Sequence, residues 1–334
     1  MVNQNRAKHN TKKLDSDVKV SVFMPVFNSE DYLNEAIDSI LNQTYSNFEL
    51  IVLNDGSTDR SKDIVFSYSD SRIKYFENEK NMGLAYSRNR GLDLCSREYI
   101  AIFDSDDVCK KNRLELQLKV LSESPNTIVC GGDSEVISKH GTQRHRSNNY
   151  HLKVVYDSPV INSTAMIRNS FITKNKIRYD LDLPPAEDFG FYSGIFWLNK
   201  MDPNTFKNIP KILVKYRIHS GQTSQINSDI GTDVAASIRR SNLQHFLSHH
   251  KTVFEYKHHA VNHKTVNAIH RNLVRLNSNG VLNELIDFVL YYHFLSGNYV
   301  TKILLFGKVI KHCDRRHIVK ASFNILGRKY GRKY

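Results

Sequence analysis

Three carboxylates fall within four residues at Asp104-Ser105-Asp106-Asp107. Like charges so close repel one another, and folding alone does not call for them. A divalent cation that prefers oxygen relieves the repulsion. Mg²⁺ or Mn²⁺ commonly takes one or two carboxylates together with substrate phosphates. Asp106 or Asp107 could instead cap a helix starting at Val108, but a cap needs only one acid. A second cluster, Asn54-Asp-Gly-Ser-Thr-Asp59, leads into another expected helix. There Ser57 or Thr58 would be the N-cap, with Asp59 in the first turn. Asp55 precedes the cap and could accept a hydrogen bond from a base N–H or a sugar hydroxyl. A third cluster is Pro25-Val-Phe-Asn28.

Each cluster follows an apolar run. The runs are Val18 to Met24 (stopped by Pro25), Phe48 to Leu53 and Tyr99 to Phe103, with a further strand expected at Ile73 to Phe76. Glu30 to Asn42, Ser57 to Tyr68 and Met82 to Ser96 carry apolar residues at three- and four-residue spacing, as helices do. Strand–helix alternation implies βαβ crossovers and an α/β fold with a mostly parallel sheet. Such sheets bind ligands beyond the carboxyl ends of their strands, where all three clusters fall. After Leu121 the pattern changes. Short strands are expected at Ile128 to Gly132, Ser134 to Ser138 and Thr164 to Ile167, with a loop over Lys139 to His151. A helix follows Pro184-Pro185 over Glu187 to Leu198, and a last strand covers Ile212 to Arg217. From about Asn227 the text is helical and basic: Ala235 to His249, Val261 to Leu276, Val281 to Leu295 and Tyr299 to Lys311. The expected organisation is a flexible leader (1–17), a catalytic domain (18–226) and a basic helical region (227–334).

The 334 residues include 47 Lys and Arg against 34 Asp and Glu, a net charge of +13. That excess suits a phosphate-rich ligand, an anionic membrane surface or a nucleic acid. Basic and aromatic residues do not interleave as a stacking platform needs, and clustered acids repel phosphate without a metal, so nucleic acid is set aside. No apolar run is long enough to span a bilayer. The N-terminus lacks the apolar stretch of a secretory signal. Cys95, Cys109, Cys130 and Cys313 form no metal-binding spacing and read as reduced thiols of a cytosolic protein. There is no Walker-type loop, and no Gly-x-Gly-x-x-Gly follows the first strand.

Several stretches together resemble the family 2 inverting glycosyltransferases of GT-A fold. They are Pro25-Val-Phe-Asn-Ser-Glu-Asp-Tyr-Leu, Ser39-Ile-Leu-Asn-Gln-Thr-Tyr, Asn54-Asp-Gly-Ser-Thr-Asp, Asn81 to Gly91, Phe103-Asp-Ser-Asp-Asp, Glu187-Asp188 and Tyr216-Arg-Ile-His219. The likeness runs from about Val20 to Ser224. It implies a nucleotide-sugar donor, most often UDP-linked, and inversion at the anomeric carbon. It also implies that Phe27 and Asp55 contact the uracil ring and that Pro25 and Glu30 shape that pocket. Arg88 would lie near the diphosphate or base, and Asp104 near the ribose or the metal-bound end of the donor. Asp106 would ligate Mn²⁺ or Mg²⁺, with His219 as a further ligand. Ser105 stands where the family commonly has Ala.

The reaction so implied places growing negative charge on a diphosphate, which a cation stabilises. The acceptor hydroxyl needs a base. Asp188, opening an apolar helix, is the candidate. Asp107, Glu187 and Arg217 are further donor or acceptor contacts, Arg217 through a fork that matches phosphate geometry. Two other readings stay open: a sugar-nucleotide nucleotidyltransferase, and a non-catalytic nucleotide-sugar binder. From Thr301 to Tyr334 ten Lys and Arg face one acid, Asp314, among interleaved apolar residues. Such a segment either lies on an anionic membrane or packs on the core with a solvated basic face. The expected acceptor is a glycan or lipid-linked saccharide.

Overall fold

The computed structural model describes residues 19–249, apart from 139–140, 146, 148, 150, 220 and 223–227. The expected leader and the helices expected beyond His249 lie outside the described residues. The chain divides into two compact units, one of residues 1–151 and 158–234, the other of 152–157 and 235–334.

In the first unit the elements run β1 (Val20–Val26), α1 (Leu33–Leu41), β2 (Phe48–Asn54), α2 (Ser61–Phe66), β3 (Ile73–Glu77), α3 (Leu84–Leu94) and β4 (Tyr99–Ile102). β1 pairs in parallel with β2 on one side and β4 on the other, and β2 pairs in parallel with β3. This is the expected alternating wing. α1 buries Leu33, Ala36, Ile37 and Ile40 at helical spacing. They join Val20, Val22 and Met24 of β1 in one core. Phe23 points to the opposite face, as period-2 alternation requires. There Gly91 of α3 lies so close that an added Cβ would sit 2.2 Å from the Phe23 ring.

β1 runs through Pro25 rather than stopping before it. Phe103 N–H donates to Phe23 O, and the last β1–β4 pair is Phe23↔Ile102. The N–H that Pro25 lacks would fall two residues further on that side, where the ladder has ended, so the proline costs no ladder hydrogen bond.

The second half is mixed. It comprises β5 (Val108–Cys109), α4 (Arg113–Glu123), β6 (Val129–Ser138), β7 (Gly141–His145), β8 (Met166–Arg168), α5 (Asn169–Asn175), α6 (Glu187–Leu198) and β9 (Phe206–Arg217). The sheet order is β3-β2-β1-β4-β8-β6-β9-β5, with β7 on β6. The two strands expected over 128–138 are one strand with register shifts at Gly132/Asp133 and Asp133/Ser134. The expected loop over Lys139 to His151 contains β7, whose five residues are all exposed. β9 begins six residues before its expected start. Val108 and Cys109 form a strand rather than opening a helix.

In the second unit, the 152–157 segment hydrogen-bonds to the C-terminal part of α7 (Ser228–His249). Asn242 Nδ2 donates to Val154 O at 3.0 Å, and Arg239 Nε donates to Tyr156 O at 2.8 Å. Among the described residues no helix is long and apolar enough to cross a membrane.

Candidate active site

Parallel pairing puts the ends of β1, β2 and β4 on one sheet edge, and side chains lace their loops together. Asn28, at φ 48°, donates its N–H to Ser57 Oγ at 3.0 Å and accepts from Thr58 N–H at 2.8 Å. Glu30 accepts from Arg60 N–H at 3.0 Å, while its own N–H donates to Asp59. α2 starts at Ser61, whose N–H is taken by Asp59 Oδ1 at 3.0 Å. The acid, not Ser57 or Thr58, thus serves the helix start. Ser29 and Ser105 share a 2.8 Å hydroxyl contact that ties the first loop to the acidic turn.

Asp55 is 4 % exposed. Oδ1 accepts from Asn78 Nδ2 at 2.6 Å and Met82 N–H at 2.9 Å, and Oδ2 accepts from Gly83 N–H at 3.0 Å. It pins the turn that opens α3, and Oδ2 keeps one acceptor position. Pro25 is buried at the end of β1, and Phe27 beside it is 45 % exposed.

The acidic turn caps no helix, because α4 begins only at Arg113. Asp107 is buried, and its Oδ1 accepts from Arg217 N–H at 2.9 Å while Oδ2 has no hydrogen-bond partner among the described residues. Burial pushes its carboxyl well above the usual range, and Asp104 and Asp106 push the same way. Asp104 is also raised by burial, against the pull of Arg88. Asp106 Oδ2 lies 3.0 Å from His219 Nε2, and Arg217 Nε donates to Asp106 O at 2.9 Å. Arg217 also reaches Glu35 at 2.6 Å and stacks over Tyr32 at 4.8 Å. Two of its groups are thus committed to protein partners rather than turned to a phosphate.

A divalent cation fits the Asp106–His219 pair. Their hydrogen bond brings a carboxylate oxygen and an imidazole nitrogen together, and both donor types can hold a divalent metal. Among the described residues no group of three or more His, Cys, Asp or Glu converges as a metal site. The rest of a shell would come from phosphates and water.

Across the site, α6 opens with Glu187 and Asp188. Glu187 is 2 % exposed and accepts from Arg88 Nη1 at 2.5 Å. Arg88 Nη2 lies 3.6 Å from Asp104 Oδ1. Asp188 Oδ1 accepts from Phe189 N–H at 2.7 Å. Burial pushes the Asp188 carboxyl up to about 6, with Arg88 drawing it back and Glu187 adding to the rise. Of the residues expected at the site, Asp104 and Glu187 gather around Arg88, and Asp106 meets His219 and Arg217, whereas Glu30 and Asp55 hold the loops after β1 and β2.

Two supporting residues escape a reading by motif. Arg113 is fully buried, and its guanidinium donates to Gln117 Oε1, Ile102 O and Ala165 O at 3.0, 2.8 and 3.2 Å. Gln117 in turn donates to Cys130 O at 2.6 Å and Thr164 O at 2.8 Å. Together they brace the strand end that carries the acidic turn. The signal was available: both occupy the apolar stripe of α4 with Leu114, Leu118 and Leu121.

A family model described as "Glycosyl transferase family 2" matches residues 21–201. An uncharacterized glycosyltransferase of Haemophilus influenzae is 33% identical over 245 residues, 69% of this chain and 74% of that protein. The Escherichia coli UDP-Glc:alpha-D-GlcNAc-diphosphoundecaprenol beta-1,3-glucosyltransferase WfgD is 40% identical over 124 residues, 37% of this chain and 49% of its own length. The chain spans about a third of the length of three Rickettsia glycosyltransferases that it also matches. The structure of S. aureus TarS 1-349 in complex with UDP-GlcNAc has a similar fold. Its TM-score is 0.56 at 19% identity, over 95% of this chain and 93% of that one.

Proposed function

This chain belongs to glycosyl transferase family 2 and is a glycosyltransferase of GT-A fold, and from that premise we propose that it moves a sugar from a UDP-linked donor to a hydroxyl of a glycan or lipid-linked saccharide, inverting the anomeric carbon. A hexose or N-acetylhexosamine donor agrees with the WfgD and TarS likenesses. The observation that carries the reading is the pairing of Asp106 Oδ2 with His219 Nε2 at 3.0 Å on the sheet edge, in a chain that also offers a raised carboxyl at Asp188.

Asp106 and His219 would hold Mn²⁺ or Mg²⁺. When bound, that ion neutralises charge growing on the diphosphate. Asp104 receives the ribose end of the donor. Phe27, 45 % exposed, stacks on the base, and the remaining acceptor position of Asp55 Oδ2 takes a base N–H. Pro25 and Glu30 hold the loop that shapes this pocket, and Ser105 keeps the turn small. Asp188 takes the proton of the acceptor hydroxyl as it attacks the anomeric carbon from the face opposite the leaving group. A carboxyl near 6 is ionised at neutral pH yet more basic than an ordinary aspartate, as general-base work requires.

We assign catalysis to residues 18–226 and regard 227–334 as a basic helical region. The Lys/Arg-rich stretch from Thr301 supports peripheral attachment to an anionic membrane on its cytoplasmic face. Liposome sedimentation of the full chain, against a chain truncated near residue 298, tests that attachment. The transfer reading is tested by UDP or GDP release from UDP-glucose, UDP-galactose, UDP-GlcNAc and GDP-mannose with Mn²⁺ or Mg²⁺. Release from a UDP-sugar supports it; release from none, or a pyrophosphorylase reaction instead, contradicts it.

A further inference from the structure

Arg88 of α3 is 5 % exposed and reaches carboxylates on two walls of the site. Nη1 donates to Glu187 Oε1 at 2.5 Å, and Nη2 lies 3.6 Å from Asp104 Oδ1. The guanidinium carbon sits 5.6 Å from the centre of the Tyr179 ring. Tyr179 is itself stacked on Phe191 of α6 at 4.0 Å. Yet Arg88 Nε and Glu187 Oε2 are buried without a hydrogen-bond partner among the described residues. A buried ion pair adds stability only when its remaining N–H groups and lone pairs are satisfied. This pair leaves them bare, so stability does not account for it.

We propose that Glu187 is a positioning residue that acts through Arg88, holding the guanidinium beside Asp104 and at the first turn of α6, where Asp188 directly follows Glu187, so that one buried cation steadies the donor-side carboxylate and sets the charge of the base. The charged and titratable groups that act on Asp188 are Arg88 from α3, Glu187 from its own helix, Asp104 from the turn after β4, and the buried Tyr179 and Tyr192. Glu187 acts on Asp188 in two opposed ways. Its charge disfavours the ionised carboxyl, while its grip keeps the cation close. Deleting the charge but keeping an acceptor for Arg88 therefore makes Asp188 more acidic. Deleting the cation makes it less so. Calling Asp188 the base rests on the function proposed above; the ion pair and its hold on Asp188 do not.

The test needs no substrate. Aspartate labelled at Cγ with carbon-13 is titrated by NMR in the full chain, the Asp188 signal being identified by its loss in Asp188→Asn. Glu187→Gln is expected to lower the Asp188 midpoint by roughly half to one pH unit. Arg88→Met is expected to raise it. Glu187→Asp, which keeps the charge and loosens the fork, is expected to raise it slightly and serves where Glu187→Gln does not fold. A second readout is the acid limb of UDP release from UDP-glucose or UDP-GlcNAc, which follows the midpoint in each variant. A midpoint unmoved in every folded variant overturns the proposal. Full transfer by Asp188→Asn would remove the base assignment and leave the effect of Glu187 on Asp188 standing.

Discussion

Asp106 Oδ2 meets His219 Nε2 at 3.0 Å although 113 positions separate them in the chain. A two-residue strand brings them together. Val108 and Cys109 pair antiparallel with Lys215 and Val214, so the turn before β5 and the stretch after β9 emerge at the same end. Arg217 locks the meeting point from β9 through Asp106 O and the carboxylate of Asp107. Tyr32, whose ring lies 4.7 Å from that of His219, closes the other side.

Asp188→Asn is expected to abolish transfer while UDP affinity survives. In the native enzyme the rate should climb with pH through about 6 and level off above, because the base must be ionised. The same shift carries a sign for stability. A carboxyl near 6 in the folded chain and about 3.9 when unfolded holds its proton more tightly in the folded state, so stability falls as pH rises through about 6. Asp188→Asn should therefore be more stable than the native protein at pH 8, by about 1–3 kcal/mol. The gap should close toward pH 4, as read by urea unfolding. Equal stability at pH 8 would count against a raised carboxyl.

Arg113→Met should cost about 2–4 kcal/mol, since it takes the guanidinium donor from Ile102 O and Gln117 Oε1 in the core and leaves Ala165 O with Ile102 N–H alone. The denaturation midpoint measures it. A loss below about 0.5 kcal/mol would mean that the brace under the acidic turn is dispensable.

Arg217 and Glu35 should part company. Arg217→Ala frees both Asp106 O and its contact with Tyr32, and Mn²⁺ affinity should drop at least severalfold. Glu35→Ala removes a carboxylate that is 59 % exposed, and exposed pairs contribute little. Isothermal titration of Mn²⁺ with UDP present compares the two. Equal losses would assign the work to the surface pair instead.

Much of this arrangement is legible in the chain's own text. The strand–helix alternation up to Leu121 carries strong periodicity, and the helix after Pro184-Pro185 runs over Glu187–Leu198 as expected. Other features carry no such signal. β5 is two residues long, too short for any pattern. β7 is fully exposed and has no apolar face to alternate. β6 reads as two strands because Gly131, Gly132 and Asp133 interrupt it, and the register does shift there. At the site, the acids are visible as a cluster, but their partners are not. That Arg217 serves Asp106 and Glu35, and that Arg88 joins Asp104 to Glu187, depends on contacts between residues about a hundred positions apart or more, except for Arg88–Asp104. Only folding the sheet brings them together.

The central claim is that Asp106 and His219 grip a cation that in turn holds the nucleotide. Calorimetric titration of UDP into the full chain, with and without Mn²⁺, tests it most directly. UDP should bind at least tenfold more tightly with Mn²⁺ present, and Asp106→Asn and His219→Ala should each erase most of that gain while staying folded. UDP binding that is indifferent to Mn²⁺, or a gain that both variants keep in full, would contradict it.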